Sequence, residues 1–213
     1  MALRYLVHTT VGCALGVGLS MAAAAAAAPG QEAAALPLGV ASGTVSLAGT
    51  SNVHDYTAST KSLRVTRVQF APSVAGPELW TEILKPGALE AFDVAIPAAT
   101  LISDKEGLDK NMHKALKVAE HPDITFRLRR LEPKAGGAGA LQGVGILKVA
   151  GVEREVILDL KTARKESGLA VSGRVALLMT DFGITPPKAM LGMLKTDPKV
   201  TITFETVLTV PLT

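Results

Sequence analysis

An all-β protein of eight antiparallel strands is what this sequence predicts, and three observations predict it. Apolar residues recur at every second position in segment after segment. Turn chemistry such as PKAGGAGA at 133–140 separates the segments. No β–helix–β rhythm and no glycine-rich nucleotide loop interrupts them. Hairpin-connected strands in that number can close into a barrel and so remove their exposed edges, or pack as a sandwich; periodicity alone does not separate the two.

The elements follow in chain order. Val45 and Leu47 alternate with Thr44 and Ser46, giving a strand near 43–50, and a second, either continuous or broken, is expected near 57–70. Phe92, Val94 and Ile96 mark a strand at 88–96, and Ile124, Phe126 and Leu128 another at 123–132. Strands at 140–150 and 153–163, the latter carrying Val156, Leu158 and Leu160, are joined by a tight hairpin at Gly151-Val152-Glu153. Leu169, Val171, Val175 and Leu177 place a strand at 168–179, and Val200, Ile202, Phe204 and Leu208 the last at 199–210. Two stretches have helical spacing. One is 103–118, through Leu108, Met112, Ala115 and Leu116, with Asp104 as its candidate cap. The other is PPKAMLGMLK at 186–195, where a proline suits the first turn.

The N-terminus is of another kind. Residues 1–28 carry one charged side chain, Arg4, and an apolar run from Val11 to Ala28 ends in small residues. A basic start, apolar centre and small-residue end describe a secretory signal peptide, with cleavage among the alanines before Pro29 or near Ala33–Ala35. An uncleaved membrane anchor is the alternative, and a lipoprotein signal at Cys13 the minor one. The expected organisation is therefore a signal peptide at 1–28, a flexible tail at 29–41 and a β domain at 42–213.

Setting the leader aside changes the arithmetic. The chain has 22 Lys+Arg against 19 Asp+Glu, so without Arg4 the excess is 21 − 19, or two charges. That is too little concentrated positive charge for backbone-driven nucleic-acid binding. Cys13 is the one cysteine, so the exported part holds no thiol, disulfide or cysteine-ligated zinc.

Chemistry has few places to sit. His54-Asp55-Tyr56 reads either as a turn whose Asp55 caps local backbone while Tyr56 packs, or as a polar group orienting a ligand head at a cavity mouth. The patch Asp109, Lys110, Asn111, His113 and Lys114 reads as a solvated helix face over an opening. His113 and His121 are eight residues apart, outside the spacing that aims two histidines at one metal. Pro122 holds His121 extended at a strand entry. Arg127 and Arg129 alternate with Phe126 and Leu128, which sends them to the outer face. The triplet Asp181-Phe182-Gly183 lacks every companion of a kinase site, so Gly183 is expected to supply a turn. Met190 and Met193 offer adaptable apolar surface, for core or for cavity lining. No nucleophile motif or carboxylate pair occurs, so no enzyme, metal or cofactor is expected. An apolar cavity fits the composition better.

GTSNVHDYTA (49–58), MHKALKVAEHPDITFRL (112–128), GILKVAGVEREVILDL (145–160), MTDFGI (179–184) and VTITFE (200–205) together resemble the YceI-like family of polyisoprenoid-binding, lipocalin-like domains. The resemblance runs from about Ser42 to Leu212, and HDY with MTDFGI resembles one branch of the family. It implies an eight-stranded antiparallel lipocalin-like barrel with one or two short helices near the opening, exported to the bacterial periplasm. It also implies binding of an isoprenoid or fatty-acid-like amphiphile in the cavity, with His54 and His121 at family positions. The cavity or mouth candidates are His54, Tyr56, Phe92, His113, His121, Ile124, Phe126, Val175, Phe182, Met190, Met193 and Phe204. A homodimer is a further expectation. The competing readings are an envelope interaction module with a side-chain-filled barrel and, behind it, a metal-dependent hydrolase.

Overall fold

A computed structural model describes residues 38–74, 76, 78–135, 140–166, 168–189 and 194–210. Among them the chain forms β1 (Gly39–Ser51), β2 (Asp55–Thr60), β3 (Arg64–Phe70), α1 (Leu79–Glu82), β4 (Leu89–Pro97), α2 (Glu106–Ala115), β5 (Asp123–Pro133), β6 (Ala140–Val149), β7 (Val152–Lys165), β8 (Gly168–Leu178), β9 (Lys188–Ala189) and β10 (Leu194–Thr209). Short 3₁₀ turns lie at Ala98–Thr100 and Met179–Phe182. β1 takes in Gly39, Val40 and Ala41, the end of the segment expected to be a tail.

The strands form one antiparallel sheet in the order β2-β1-β10-β8-β7-β6-β5-β4-β3, with β9 pairing β10 off that path. The expected closed eight-stranded barrel does not form. The sheet is an open half-barrel that spans 209°, with its edges 11 Å apart. Paired strands stand about 4.8 Å apart, so no ladder crosses that gap.

The reason lies in the expected 57–70 strand, which is two. Its halves, β2 and β3, are consecutive in sequence yet occupy opposite edges of the sheet. The outer edge of β2 is taken by the segment after β4: Ser59 N–H donates to Ile102 O at 2.8 Å, and Ile102 N–H to Ser59 O at 3.1 Å. Thr60, a buried polar residue, ends the strand. Its Oγ1 accepts the Ser62 N–H at 3.0 Å and lies 2.7 Å from Thr100 Oγ1. Since Thr100 gives its own proton to Pro97 O (2.7 Å), Thr60 is the donor of that hydroxyl pair. The Ser59–Ile102 exchange thus takes the end of the β2 edge nearest the turn into β3.

Elsewhere the local chemistry is as read, with small displacements. The β6–β7 hairpin turns on Ala150 and Gly151, at φ 49 and 84, one position before the expected site. Two successive positive φ values define the two-residue turn whose twist matches the strands. A bulge between Leu128 and Arg130 shifts the phase of β5, so that Leu131 is buried as well. Gly183 closes the 3₁₀ turn at φ 66.

The helices differ more. Lys105, not Asp104, stands at the N-cap of α2, and it makes no side-chain cap bond. Ser103 N–H and Oγ instead reach Asp109 Oδ1 at 2.8 and 2.7 Å. The second expected helix is not one. Lys188 and Ala189 are extended and pair antiparallel with Lys195 and Leu194, so the described ends of this stretch are strands; residues 190–193 lie outside the described ones. α1 answers to no sequence expectation.

Two clusters of buried side chains close the half-barrel. One gathers Leu101, Leu116, Val149, Val156, Phe182 and Ile184 beneath α2. The other gathers Val74, Leu79, Ile83, Ala88 and Leu169 around α1.

Candidate ligand cavity

A cavity of about 470 Å³ lies within the half-barrel. Its wall is the apolar alternation itself. Val45 and Leu47, Phe92, Val94 and Ile96, Ile124, Phe126 and Leu128, Val156, Leu158 and Leu160, Val171, Val175 and Leu177, and Val200, Ile202 and Phe204 all line it. Each strand turns one face inward because its side chains alternate, and the sheet's curvature turns those faces toward one another. The volume falls in the range of about 300–1,000 Å³ that small-molecule sites occupy.

Six of the eight polar lining side chains gather at one end, while Thr162 on β7 and Thr206 on β10 lie toward the other, beside Val171. Ser51, His54 and Tyr56 come from the β1–β2 turn and Thr196 from the start of β10, while Lys105 and Asn111 come from α2. Among the described lining residues no carboxylate occurs, and Lys105 is the one lysine or arginine. This end is therefore rich in donors and suited to acceptor oxygens. The β1–β2 turn is held by Ser51 rather than Asp55: Ser51 Oγ donates to His54 O at 2.8 Å and accepts the His54 N–H at 3.1 Å. Asn52 Oδ1 accepts the Lys195 N–H at 2.8 Å and fixes the turn to β10. Tyr56 is half-buried, and burial, with Asp197 nearby, pushes its phenol above the ordinary value. It stays a protonated donor at neutral pH.

Of the twelve residues singled out from sequence, His54, Tyr56, Phe92, Ile124, Phe126, Val175, Phe182 and Phe204 line the cavity. His113 and His121 do not line it. His113 Nε2–H donates to Leu101 O at 2.8 Å, which ties α2 to the strand-to-helix connection. The His121 ring lies against Gly151, where a side chain would collide with it. Met190 and Met193 lie outside the described residues. Sequence reasoning missed Ser51, Lys105 and Thr196, as well as the glycines of the wall. Glycine inside a strand marks a close approach, and Gly145 and Gly173 both interrupt otherwise apolar alternation.

Among the described residues no group of three or more His, Cys, Asp or Glu is placed to hold a metal. No described helix is long and apolar enough to cross a membrane. Arg127 lies on the outer face, paired with Glu153 at 2.9 Å.

An open antiparallel half-barrel, with an apolar cavity and a polar end, defines a class of small-molecule-binding protein. The YceI-like domain matches residues 39–208, and the chain belongs to that family. Solved structures share the fold. BcnA of Burkholderia cenocepacia is 15% identical, covering 78% of this chain and 95% of its own, with a TM-score of 0.60. A polyisoprenoid binding domain from Saccharophagus degradans, implicated in plant cell wall breakdown, is 12% identical with a TM-score of 0.58, covering 83% and 99%. The Campylobacter jejuni YceI protein is 17% identical with a TM-score of 0.52, covering 77% and 85%. None of the curated proteins compared with the chain matches it.

Proposed function

We propose that this protein binds, and so carries or sequesters, an apolar chain-like amphiphile of the isoprenoid or fatty-acid type. The observation that carries the reading is a cavity of about 470 Å³ walled by aliphatic and aromatic side chains, with most of its donors toward one end. Burial contributes about 0.8 kcal/mol per CH₂, so a long chain supplies useful affinity without charged recognition along its length. Lys105, Asn111 and the Tyr56 hydroxyl would meet the polar head. The Saccharophagus degradans domain, described as polyisoprenoid binding, supports the same ligand class. The chain's HDY and MTDFGI segments would mark a branch of the family, both of them at the polar end of the cavity. Residues 1–28 would export the protein to the periplasm and then be removed.

Mass spectrometry of organic extracts from gently purified protein should reveal a bound amphiphile at near-stoichiometric amount. Repeated absence of one, with no uptake of added lipid by stripped protein, sinks the proposal. N-terminal sequencing of the periplasmic protein should begin after the alanine run, and an intact Met1 there would refute export with cleavage.

A further inference from the structure

Four positions on the cavity side of the sheet carry no side chain. Gly49 follows Leu47, Gly143 and Gly145 fall between Leu141 and Leu147, and Gly173 falls between Val171 and Val175; the flanking residues all line the cavity. Three of these glycines have an aromatic ring laid across them. A Cβ on Gly49 would stand 2.9 Å from Cε1 of Tyr56, its direct partner in the β1–β2 register. On Gly173 it would stand 2.7 Å from Cε1 of Phe204, its direct partner between β8 and β10. On Gly145 it would stand 2.6 Å from Cε2 of Phe126, its diagonal neighbour across β5 and β6. All three lie inside the 3.0 Å that side-chain carbons do not breach.

Each ring thus occupies the space in which its partner's side chain would stand. A glycine in a strand gives up packing, and a ring laid across it recovers that packing. Here the arrangement has a second consequence. A ring lying along the wall does not project into the lumen, so three bulky residues take part in the lining without filling it.

We propose that the pairs Gly49–Tyr56, Gly145–Phe126 and Gly173–Phe204 set the bore of the cavity and so select the length and thickness of the chain it accepts. The inference rests on the amphiphile reading and makes these residues its specificity determinants. A methyl group at Gly49 or Gly173 tips the paired ring into the lumen and shortens the path open to a ligand. Gly49 is the cleaner site, because the three atoms nearest its Cβ all belong to the Tyr56 side chain. At Gly173 the Asp159 carbonyl oxygen also stands 3.0 Å away.

The test uses stripped full-length protein and straight-chain fatty acids graded from octanoic to stearic, read by displacement of a solvatochromic fluorescent fatty acid. The expected result is that Gly173→Ala and Gly49→Ala lose about tenfold or more in affinity for the longest acids and keep the shorter ones. The double variant Gly173→Ala/Phe204→Leu, whose smaller side chain leaves room for the methyl, should regain them. Phe204→Leu alone, which disturbs no glycine, should admit longer or thicker chains than the unaltered protein. An unchanged length profile in the folded glycine variants, or a double variant no better than Gly173→Ala, overturns the inference. Should the glycine variants fail to fold by circular dichroism, Phe204→Leu decides, and an unaltered profile there overturns it. If the unaltered protein takes up no acid of any length, it is the amphiphile reading that has failed.

Discussion

The two ends of the half-barrel are closed by helices that work in opposite ways. α1 has four residues, yet it buries Leu79, and Ile83 at its C-cap is only 2% exposed. Outside it, Arg164 stacks over Trp80 at 5.5 Å and donates to the Lys165 and Gly168 carbonyls, which pins the β7–β8 turn beside the helix. α2 has ten residues and fully buries none of them. It is held by the half-buried Met112 and Ala115, by the His113 bond to Leu101 O, and by Asp109 on Ser103. The shorter helix is a plug and the longer one is laid on. Most polar lining residues stand at the α2 end, so the weaker closure coincides with the end suited to a head group. Length of helix is a poor guide to anchorage here, and burial is the better one.

The sharpest way to break this contrast is to cut each closure at its apolar contact. Ile83→Ala should cost about 2–5 kcal/mol of global stability, the usual range for emptying a fully buried aliphatic site. Met112→Ala, on a half-buried residue, should cost about 1–2 kcal/mol, since less contact is lost. Denaturant melts of the two variants decide the matter. Equal losses would mean that α2 is as firmly seated as α1.

A smaller effect separates local from global loosening. His113→Ala removes the Leu101 bond, worth about 1 kcal/mol, and touches nothing at the other end. Amide exchange should then quicken through Glu106–Ala115 and stay unchanged at Leu79–Ile83. Acceleration at both ends alike would show that the half-barrel opens as one cooperative unit, and the comparison would lose its force.

How much of this was legible beforehand follows the range of the forces involved. Alternation is local, so Val45, Phe126, Leu158 and Phe204 could be placed on one face from sequence, and that face became the cavity wall. Closure is not local. It depended on whether β2 would meet β3, and a backbone exchange between Ser59 and Ile102 took the β2 edge instead. No alternation reports that competition. The places of two histidines were hidden for a similar reason: His113 bonds a carbonyl twelve residues earlier, and the His121 ring packs over Gly151 in the β6–β7 hairpin. Hollowness was the hardest property to read. Aromatic residues make up only 4% of the chain, which leaves room in a core, but the room comes from where the rings lie, over glycines that register alone brings beneath them.

The smallest expected effect tests the polar end by pH. Tyr56 titrates above its usual 10.0 because burial disfavours the phenolate, and the Asp197 charge opposes it further. Its folded-state value therefore exceeds its unfolded one, and above pH 10 the unfolded chain gives up this proton first. The protonated Tyr56 contributes fully below pH 10, and stability falls as the pH rises through and beyond that value. Tyr56→Phe keeps the ring over Gly49 and removes the titrating group. Its melting temperature should decline less steeply between pH 9 and 11 than that of the unaltered protein, with the two curves parallel below pH 9. No comparable alkaline difference is expected from Trp80→Phe at the opposite end, where no ionisable hydroxyl is lost. Parallel curves for Tyr56→Phe across the whole range would show that the phenol is as well solvated as on a free chain. The α2 end would then be open to water at Tyr56, not an apolar lining that excludes it.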